Sequence, residues 1–315
     1  MSAGRGREGL ASFAERVFYD PGPVEWTVST LLTPFAGFYG SGMWLRRRLA
    51  RPVGYAVPIV SVGNLVVGGS GKTPFVIALG ERYASRRVWV VSRGYGRRSR
   101  GLVEVSRPGE ILCDVAASGD EAMEMARALP GAGVIVSEDR GAGIERALKR
   151  GAELILLDDG FNRVEIEKFE ILLEPERLPN RRVFPAGPFR EFPSTASLAD
   201  LRLKEGREYR RVVRCDGATE RMVLVSSIAR PERLEPWLPP GVVGRYFLPD
   251  HAWFDAGELR ELLARHDARS LLVTQKDAVK LEGFQLPLSR LRLQLVIRSD
   301  VLERVDQYVK EFHAA

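Results

Sequence analysis

The run Val60-Ser-Val-Gly-Asn-Leu-Val-Val-Gly-Gly-Ser-Gly-Lys-Thr-Pro74 joins a β-branched apolar stretch to a glycine-rich turn closed by Gly71-Lys72-Thr73. Residue types in this order suit a nucleoside triphosphate. Glycines let backbone N–H groups converge on phosphate oxygens, a lysine neutralises the β- and γ-phosphates, and a hydroxyl ligates Mg²⁺. Lys72 and Thr73 would take the last two roles, with Val66, Val67, Gly68, Gly69, Ser70 and Gly71 forming the cradle. Phe75-Val-Ile-Ala-Leu79 continues as an apolar helix, so strand, loop and helix follow in the order a phosphate loop needs. One position departs from the common pattern. Six residues before the lysine stands Val66 and not glycine, so the turn must draw its freedom from Gly68, Gly69 and Gly71.

Further polar groups sit at the ends of other strand-like runs. Leu154-Ile-Leu-Leu-Asp158-Asp159 is an apolar strand ending in two carboxylates, either of which could hold Mg²⁺ beside the phosphate loop. Arg93 follows the run RVWVVS, Ser118-Gly119-Asp120-Glu121 opens a helix, and Ser137-Glu138-Asp139-Arg140 follows another strand. A helix cap explains Ser118 or Asp120 equally well; the alternative is that Asp120 accepts a proton from an attacking hydroxyl. Of the three histidines, His251 lies in a loop after a strand, flanked by Asp250. Thr274-Gln-Lys276-Asp277 superficially resembles a guanine-reading N-K-x-D pattern but lacks the intervening residue, so GTP specificity is unsupported.

The elements that must carry these groups alternate strand and helix from residue 57, which predicts parallel sheets with crossover helices. Strands are expected at Val57–Val62, Arg87–Ser92, Gly133–Val136, Leu154–Asp158 and Phe169–Leu173, with helices at Lys72–Ser85, Gly119–Leu129 and Gly141–Arg150. Residues 174–207 read as irregular, and Ala199-Asp-Leu-Arg-Leu203 is too short and charged for a clear strand. Asp216-Gly217, between two strand-like runs, signals a hairpin. The expected architecture is therefore α/β: two α/β/α sandwich domains, the first a P-loop core, joined by a β-hairpin linker. The boundaries read as an N-terminal segment 1–56, a nucleotide-binding domain 57–207, a linker 208–221 and a smaller domain 222–315, which ends in a helix.

The chain carries a formal net charge of +6, most of its basicity being arginine, which suits phosphate recognition without naming the phosphate. Cys113 and Cys215 are far apart and have no metal-ligand spacing, which speaks against a disulfide framework or a zinc site. Trp26 to Leu45 carries no charge and is followed at once by Arg46-Arg47-Arg48. A glycine-rich, proline-containing run with aromatic residues and an arginine flank reads as a segment lying in the headgroup layer of a membrane, with a membrane span or an ordinary buried helix as the alternatives.

In order along the chain, VGNLVVGGSGKTP, SRGYGRR, SGDEA, VSEDR, LLDDGF, FPAGPFRE, LPDH and TQKDAVKL resemble the tetraacyldisaccharide 4′-kinases, the lipid A 4′-kinases, from Val57 to about Leu281. In that family the loop is of the GNxxxGGxGKT type, which accounts for Val66. The resemblance implies transfer of the ATP γ-phosphoryl to the 4′-hydroxyl of an acylated glucosamine disaccharide 1-phosphate, forming lipid IVA at the cytoplasmic face of the inner membrane. It implies ATP and Mg²⁺, and no nucleic acid partner. By the same carry-over Asp120 would be the general base, aided by His251; Lys72, Ser70, Thr73, Asp158 and Asp159 would serve ATP and Mg²⁺; and Arg93, Glu121, Glu138 (toward the metal) and Arg140 would surround them. Asn162-Arg163 departs from the usual Gln-His or Gln-Asn after DDGF, which leaves the acceptor contacts there open. The competing readings are a P-loop ATPase switch without kinase activity and a catalytically impaired homologue at the membrane.

Overall fold

The computed structural model describes residues 12–67, 71–175, 178–228, 231–250 and 252–312. A helix over residues 12–19 (α1) precedes α2 (Pro23–Leu31) and α3 (Thr33–Leu49), which divide at Leu32 where Pro34 starts the next helix. The first sheet and its helices follow as β1 (Ile59–Gly63), α4 (Lys72–Arg82), β2 (Val88–Ser92), β3 (Val103–Arg107), β4 (Glu110–Ile111), α5 (Val115–Ser118), α6 (Asp120–Ala128), β5 (Gly133–Val136), α7 (Arg140–Lys149), β6 (Leu154–Asp158), β7 (Phe169–Glu174) and β8 (Leu201–Lys204). The second part comprises β9 (Tyr209–Asp216), β10 (Met222–Ser226), β11 (Val242–Phe247), α8 (Ala256–Arg265), β12 (Ser270–Thr274), α9 (Gln275–Ala278), β13 (Leu288–Ile297) and α10 (Ser299–Glu311).

The first sheet runs β4-β3-β5-β2-β6-β1-β7-β8, parallel except for the antiparallel β3–β4 edge. Its central strands β1, β2 and β6 are buried along their whole length, which is why they read as unbroken apolar runs and not as alternating ones. Alternation survives as a choice of face. Val60, Val62, Leu154 and Leu156 meet α4 and α6, whereas Ile59, Ile155 and Leu157 meet Ile144 and Ala147 of α7. Layering helices on both faces leaves the carboxyl ends of β1, β2, β5 and β6 as the open edge where a ligand can sit.

The second sheet runs β11-β10-β12-β13-β9, with β9 antiparallel to β13. Two α/β sheets were expected and two are present. The hairpin was not formed as expected. Gly217 makes a turn at φ 67°, but β9 pairs with β13 from Tyr209–Ile297 to Asp216–Arg290, while β10 pairs with β11 and β12. Burial decides this: β10 is apolar and fully buried, fit for the interior of the sheet, while arginine-rich β9 is half exposed and takes the edge. Leu201–Lys204, read as too charged for a strand, forms β8 beside β7, where an edge position tolerates Arg202 and Lys204.

The C-terminal helix leaves the second sheet. Val301, Val305 and Val309, at helical spacing, join the core of the first sheet with Val60, Phe75 and Leu79. Tyr308 stacks on Phe169 with ring centroids 4.9 Å apart, and Asp306 pairs with Arg82 and accepts from the Tyr83 hydroxyl at 2.7 Å. The ribbon β9–β13 thus carries the chain out to the second sheet and back again.

Candidate active site

The strand β1 delivers the phosphate loop. Its leading arm is extended: Val67 N–H donates to the Pro188 carbonyl (2.9 Å), Arg190 N–H donates to the Leu65 carbonyl (2.7 Å), and Val66 bridges Phe189. Val66 is 4% exposed, packed with Leu65, Phe161 and Phe189. An extended, buried position favours a β-branched residue, so no glycine is needed there. Gly71 takes φ 78° directly before α4, as expected of the loop's last glycine, while Gly68, Gly69 and Ser70 lie outside the described residues. Lys72 Nζ donates to Asn64 Oδ1 at 3.2 Å and stands 3.5 Å from Asp159; Thr73 is buried beside it.

The strand β6 delivers the two aspartates in different states. Asp158 is buried, accepts the Ser92 hydroxyl at 3.0 Å through Oδ2, and leaves Oδ1 buried without a hydrogen-bond partner. Burial first, then the charges of Glu121 and Asp159, push its carboxyl up to about 7 against the pull of Lys72. Asp159 adopts a left-handed φ of 54° that turns its carboxylate toward Lys72 and Arg190, the latter at 3.0 Å. Burial opposes its charge, yet Lys72 and Arg190 outweigh burial and hold it below the usual carboxylate range.

Asp120 begins α6 on a geometry that only glycine grants. Gly119 has φ 82°, and a Cβ there would lie 2.8 Å from the Tyr95 carbonyl, so the SRGYG turn and the SGDEA turn interlock. The Asp120 carboxylate is 4% exposed and lies 3.1 Å from Lys280 and 3.7 Å from Lys276, both from the second sheet's side of the molecule. Lys276 also stands 3.7 Å from Glu121 and 3.5 Å from Asp250. Burial works against its ammonium, but Glu121, Asp120 and Asp250 together hold its pKa above the ordinary lysine value. His251 lies outside the described residues; its neighbours Asp250 and Ala252 reach this cluster through Lys276 and Lys280.

Arg140 is 2% exposed, donates to the Ser137 carbonyl and keeps its buried Nε without a partner. Burial first, and then Arg163 and Arg93, lower it to about 10, while Asp158 and Asp159 pull the other way. Arg93 itself is exposed at the rim. Glu138, expected toward the metal, is paired with Arg97. Its carboxylate lies half exposed at 2.6 Å from Arg97, and its own backbone amide and Arg97 keep it acidic. Lys276, Lys280, Arg190, Ser92 and Arg211, whose guanidinium stands 3.1 Å from where a Gly71 Cβ would be, were given no role in the site from sequence, Lys276 having entered only through the guanine-reading comparison. The FPAGPFRE and TQKDAVKL blocks were the available signal for three of them.

Among the described residues no group of three or more His, Cys, Asp or Glu side chains is arranged to hold a metal by itself. A site for Mg²⁺ at a phosphate loop does not require one, since this ion keeps waters and substrate phosphates and takes one or two protein oxygens. The buried, unpartnered Asp158 Oδ1 fits that demand, and the hydroxyl of Thr73, also buried, is a second oxygen at the start of α4.

A phosphate loop, a lysine at its helix, a paired-aspartate strand end and a second carboxylate at a neighbouring helix start define a P-loop phosphotransferase. The family model described as "LpxK: Tetraacyldisaccharide-1-P 4′-kinase" matches residues 28–216 and 207–310. The tetraacyldisaccharide 4′-kinase of Helicobacter pylori (strain ATCC 700392 / 26695) is 43% identical over 302 residues, covering 95% of this chain and 96% of that one. The enzyme so named from Aliarcobacter butzleri (strain RM4018) is 36% identical over 307 residues, covering 95% and 97%. The crystal structure of LpxK from Aquifex aeolicus in complex with ATP superposes with a TM-score of 0.77 at 26% identity, covering 90% of this chain and 99% of that one. The chain belongs to the tetraacyldisaccharide 4′-kinase family.

Proposed function

We propose that this chain transfers the γ-phosphoryl group of ATP to the 4′-hydroxyl of an acylated glucosamine disaccharide 1-phosphate, completing lipid IVA. The observation that carries the reading is the convergence of Lys72, Asp158 and Asp120 at one sheet edge, from three separate segments, in a chain of this family. Lys72 and the loop amides would hold the β- and γ-phosphates, with Arg140 supplying a further cation from α7. Thr73 and Asp158 would hold Mg²⁺, with Asp159 beside them, and the ion when bound neutralises charge on the phosphate oxygens. Asp120, outside the phosphate loop but on the same edge, suits removal of the proton from the attacking hydroxyl, with His251 as its companion. Phosphoryl transfer asks a protein mainly for positioning and charge neutralisation, and proton removal typically adds about 10²–10⁴-fold.

The acylated acceptor accounts for the N-terminal helices. Leu31, Phe35, Phe38, Leu45 and Leu49 form one exposed stripe at helical spacing along α2 and α3, with Arg46 and Arg48 in the last turn. No helix among the described residues is long and apolar enough to cross a membrane. The stripe supports a helix lying in the headgroup layer on the cytoplasmic face of the inner membrane, beside the pool of lipid acceptor.

The test is transfer of labelled phosphate from Mg-ATP to the acylated disaccharide 1-phosphate in mixed micelles. The expected result is acceptor-dependent transfer, lowered about 10²-fold or more in Asp120→Asn. ATP hydrolysis that ignores the acceptor, or full transfer by Asp120→Asn, would overturn the reading.

A further inference from the structure

Lys280 has a buried ammonium whose donors are all spoken for. Its side chain is 2% exposed, and Nζ lies 3.1 Å from Asp120 Oδ2, 2.9 Å from the Ser227 hydroxyl and 3.3 Å from the Ala252 carbonyl. An ammonium carries three N–H donors, and three acceptors surround this one. They come from three places. Asp120 starts α6 of the first sheet's unit, Ser227 follows β10 of the second, and Ala252 is the residue directly after His251 in the chain.

The second-unit half of this arrangement is stiff. Asp277 is fully buried and accepts from the Ser226 and Ser227 hydroxyls, the Ser227 amide and the Thr274 hydroxyl, at 2.7 to 3.1 Å. That knot fixes Ser227 and the short helix α9, and with it the origin of the Lys280 side chain. Stability alone gives little reason for such a pair, because a buried ion pair is often no better than apolar residues of similar volume. The two units also meet through Arg127–Glu282 and through Arg98 over the Trp253 ring at 5.3 Å, so docking does not hang on the lysine.

We propose that Lys280 is a positioning residue for phosphoryl transfer, clamping the Asp120 carboxylate and the backbone beside His251 in one arrangement when the two units dock. The proposal rests on the reading of Asp120 as general base. Among the described residues Lys280 meets Asp120, Ser227 and Ala252 and not Lys72, Asp158 or Asp159, so its effect should fall on the rate of transfer and not on the hold on ATP. The clamp also makes the base conditional. With the units apart, Asp120 would lose the cation that orients Oδ2, and the competent site exists only in the docked form.

The experiment compares wild type, Lys280→Met, Lys280→Arg, Asp120→Asn and the double variant Asp120→Asn/Lys280→Met, with kcat, KM for ATP and thermal unfolding measured for each. Lys280→Met is expected to lose roughly 10²-fold in kcat, the order of loss that misplacing a reacting group brings. KM for ATP should stay within about threefold, and Lys280→Arg, which keeps the charge, should recover a tenth or more of the lost rate. In the Asp120→Asn background the same Lys280→Met change should cost less than about threefold, because its target is already gone. Wild-type kcat in Lys280→Met with an inactive Asp120→Asn would overturn the clamp and leave the base standing. An equal loss in both backgrounds would overturn it as well, as the mark of a general structural effect. Full activity of Asp120→Asn would remove the base and the clamp together. Should Lys280→Met fail to fold, Ser227→Ala loosens the same ammonium, and a kcat unchanged there overturns the proposal.

Discussion

Arg190 holds Asp159 through Nη1, at 3.2 and 3.0 Å from its two carboxylate oxygens. The next residue, Glu191, accepts Arg47 of α3 at 2.9 and 3.0 Å, and Arg47 also donates to the Phe161 carbonyl and lies over its ring. Two adjacent residues therefore join the site to the N-terminal helix. Glu191 is 2% exposed, so Arg47→Ala leaves a buried carboxylate without its cation, at a cost of about 3–5 kcal/mol. The double variant Arg47→Met/Glu191→Leu, which removes both charges, should recover most of that loss. Chemical denaturation of the three proteins decides it; an Arg47→Ala protein as stable as wild type would show that Glu191 finds other partners.

Lys72 stands between Asn64 and Asp159, restrained on both sides by protein groups. A cation placed in advance where charge gathers in the transition state commonly contributes about 10²–10³-fold to kcat. Lys72→Met is expected to lose transfer on that scale. Steady-state kinetics check this, and retention of more than about a tenth of the wild-type rate would take Lys72 out of the chemistry.

What the sequence made legible was local. Strand, glycines, lysine and hydroxyl succeed one another within fifteen residues, and no tertiary information is needed to read them as a phosphate loop. The buried strands β2 and β6 were legible for a similar reason, since a parallel sheet covered on both faces demands continuous apolar runs. Pairing between distant segments was not legible. Val301, Val305 and Val309 declare an apolar helix face but not which sheet receives it, and the turn at Gly217 cannot reveal that β9 prefers β13. Lys276 and Lys280 follow a strand in a polar segment where solvent is the natural expectation; only the facing carboxylates of Asp120 and Glu121 explain their burial. Glu138 failed in the opposite direction, because a neighbour 41 residues earlier, Arg97, claims its carboxylate.

Stability should fall as pH rises, and Asp158 gives the sign. Its native pKa is pushed up to about 7, so between pH 4 and 7 the folded protein keeps a proton that the unfolded chain has released. Unfolding then releases protons, and each rise in pH favours the unfolded state until the native carboxyl has also ionised. Glu170, raised by burial to about 7, adds to the slope in the same window, and Glu124, raised by burial to about 8, extends it upward. Thermal unfolding followed from pH 5 to 8 without divalent ions should show a declining midpoint, with a shallower decline in Asp158→Asn. Saturating Mg-ATP should raise the wild-type midpoint most at the high-pH end, where Asp158 is ionised, and so flatten the wild-type curve. A midpoint that climbs with pH over this range would contradict the assigned state of these carboxyls.

The exposed stripe on α2 and α3 predicts how the protein meets its acceptor. Phe38 is 82% exposed and Phe35 64%, one helical turn apart and facing away from Ala36, which packs into the core. Burying a phenylalanine side chain is worth roughly 1.5–3 kcal/mol, so losing both from a membrane interface weakens partitioning by about 10²-fold or more. Both rings are largely exposed to solvent. Phe35→Ser/Phe38→Ser is therefore expected to lose sedimentation with anionic phospholipid vesicles. Transfer to a micelle-dispersed acceptor, where no bilayer must be found, should stay near the wild-type kcat. Raising the salt concentration should weaken the wild-type association further, through the screening of Arg46 and Arg48 beside the stripe. Undiminished vesicle binding by the double variant would show that the stripe makes no membrane contact.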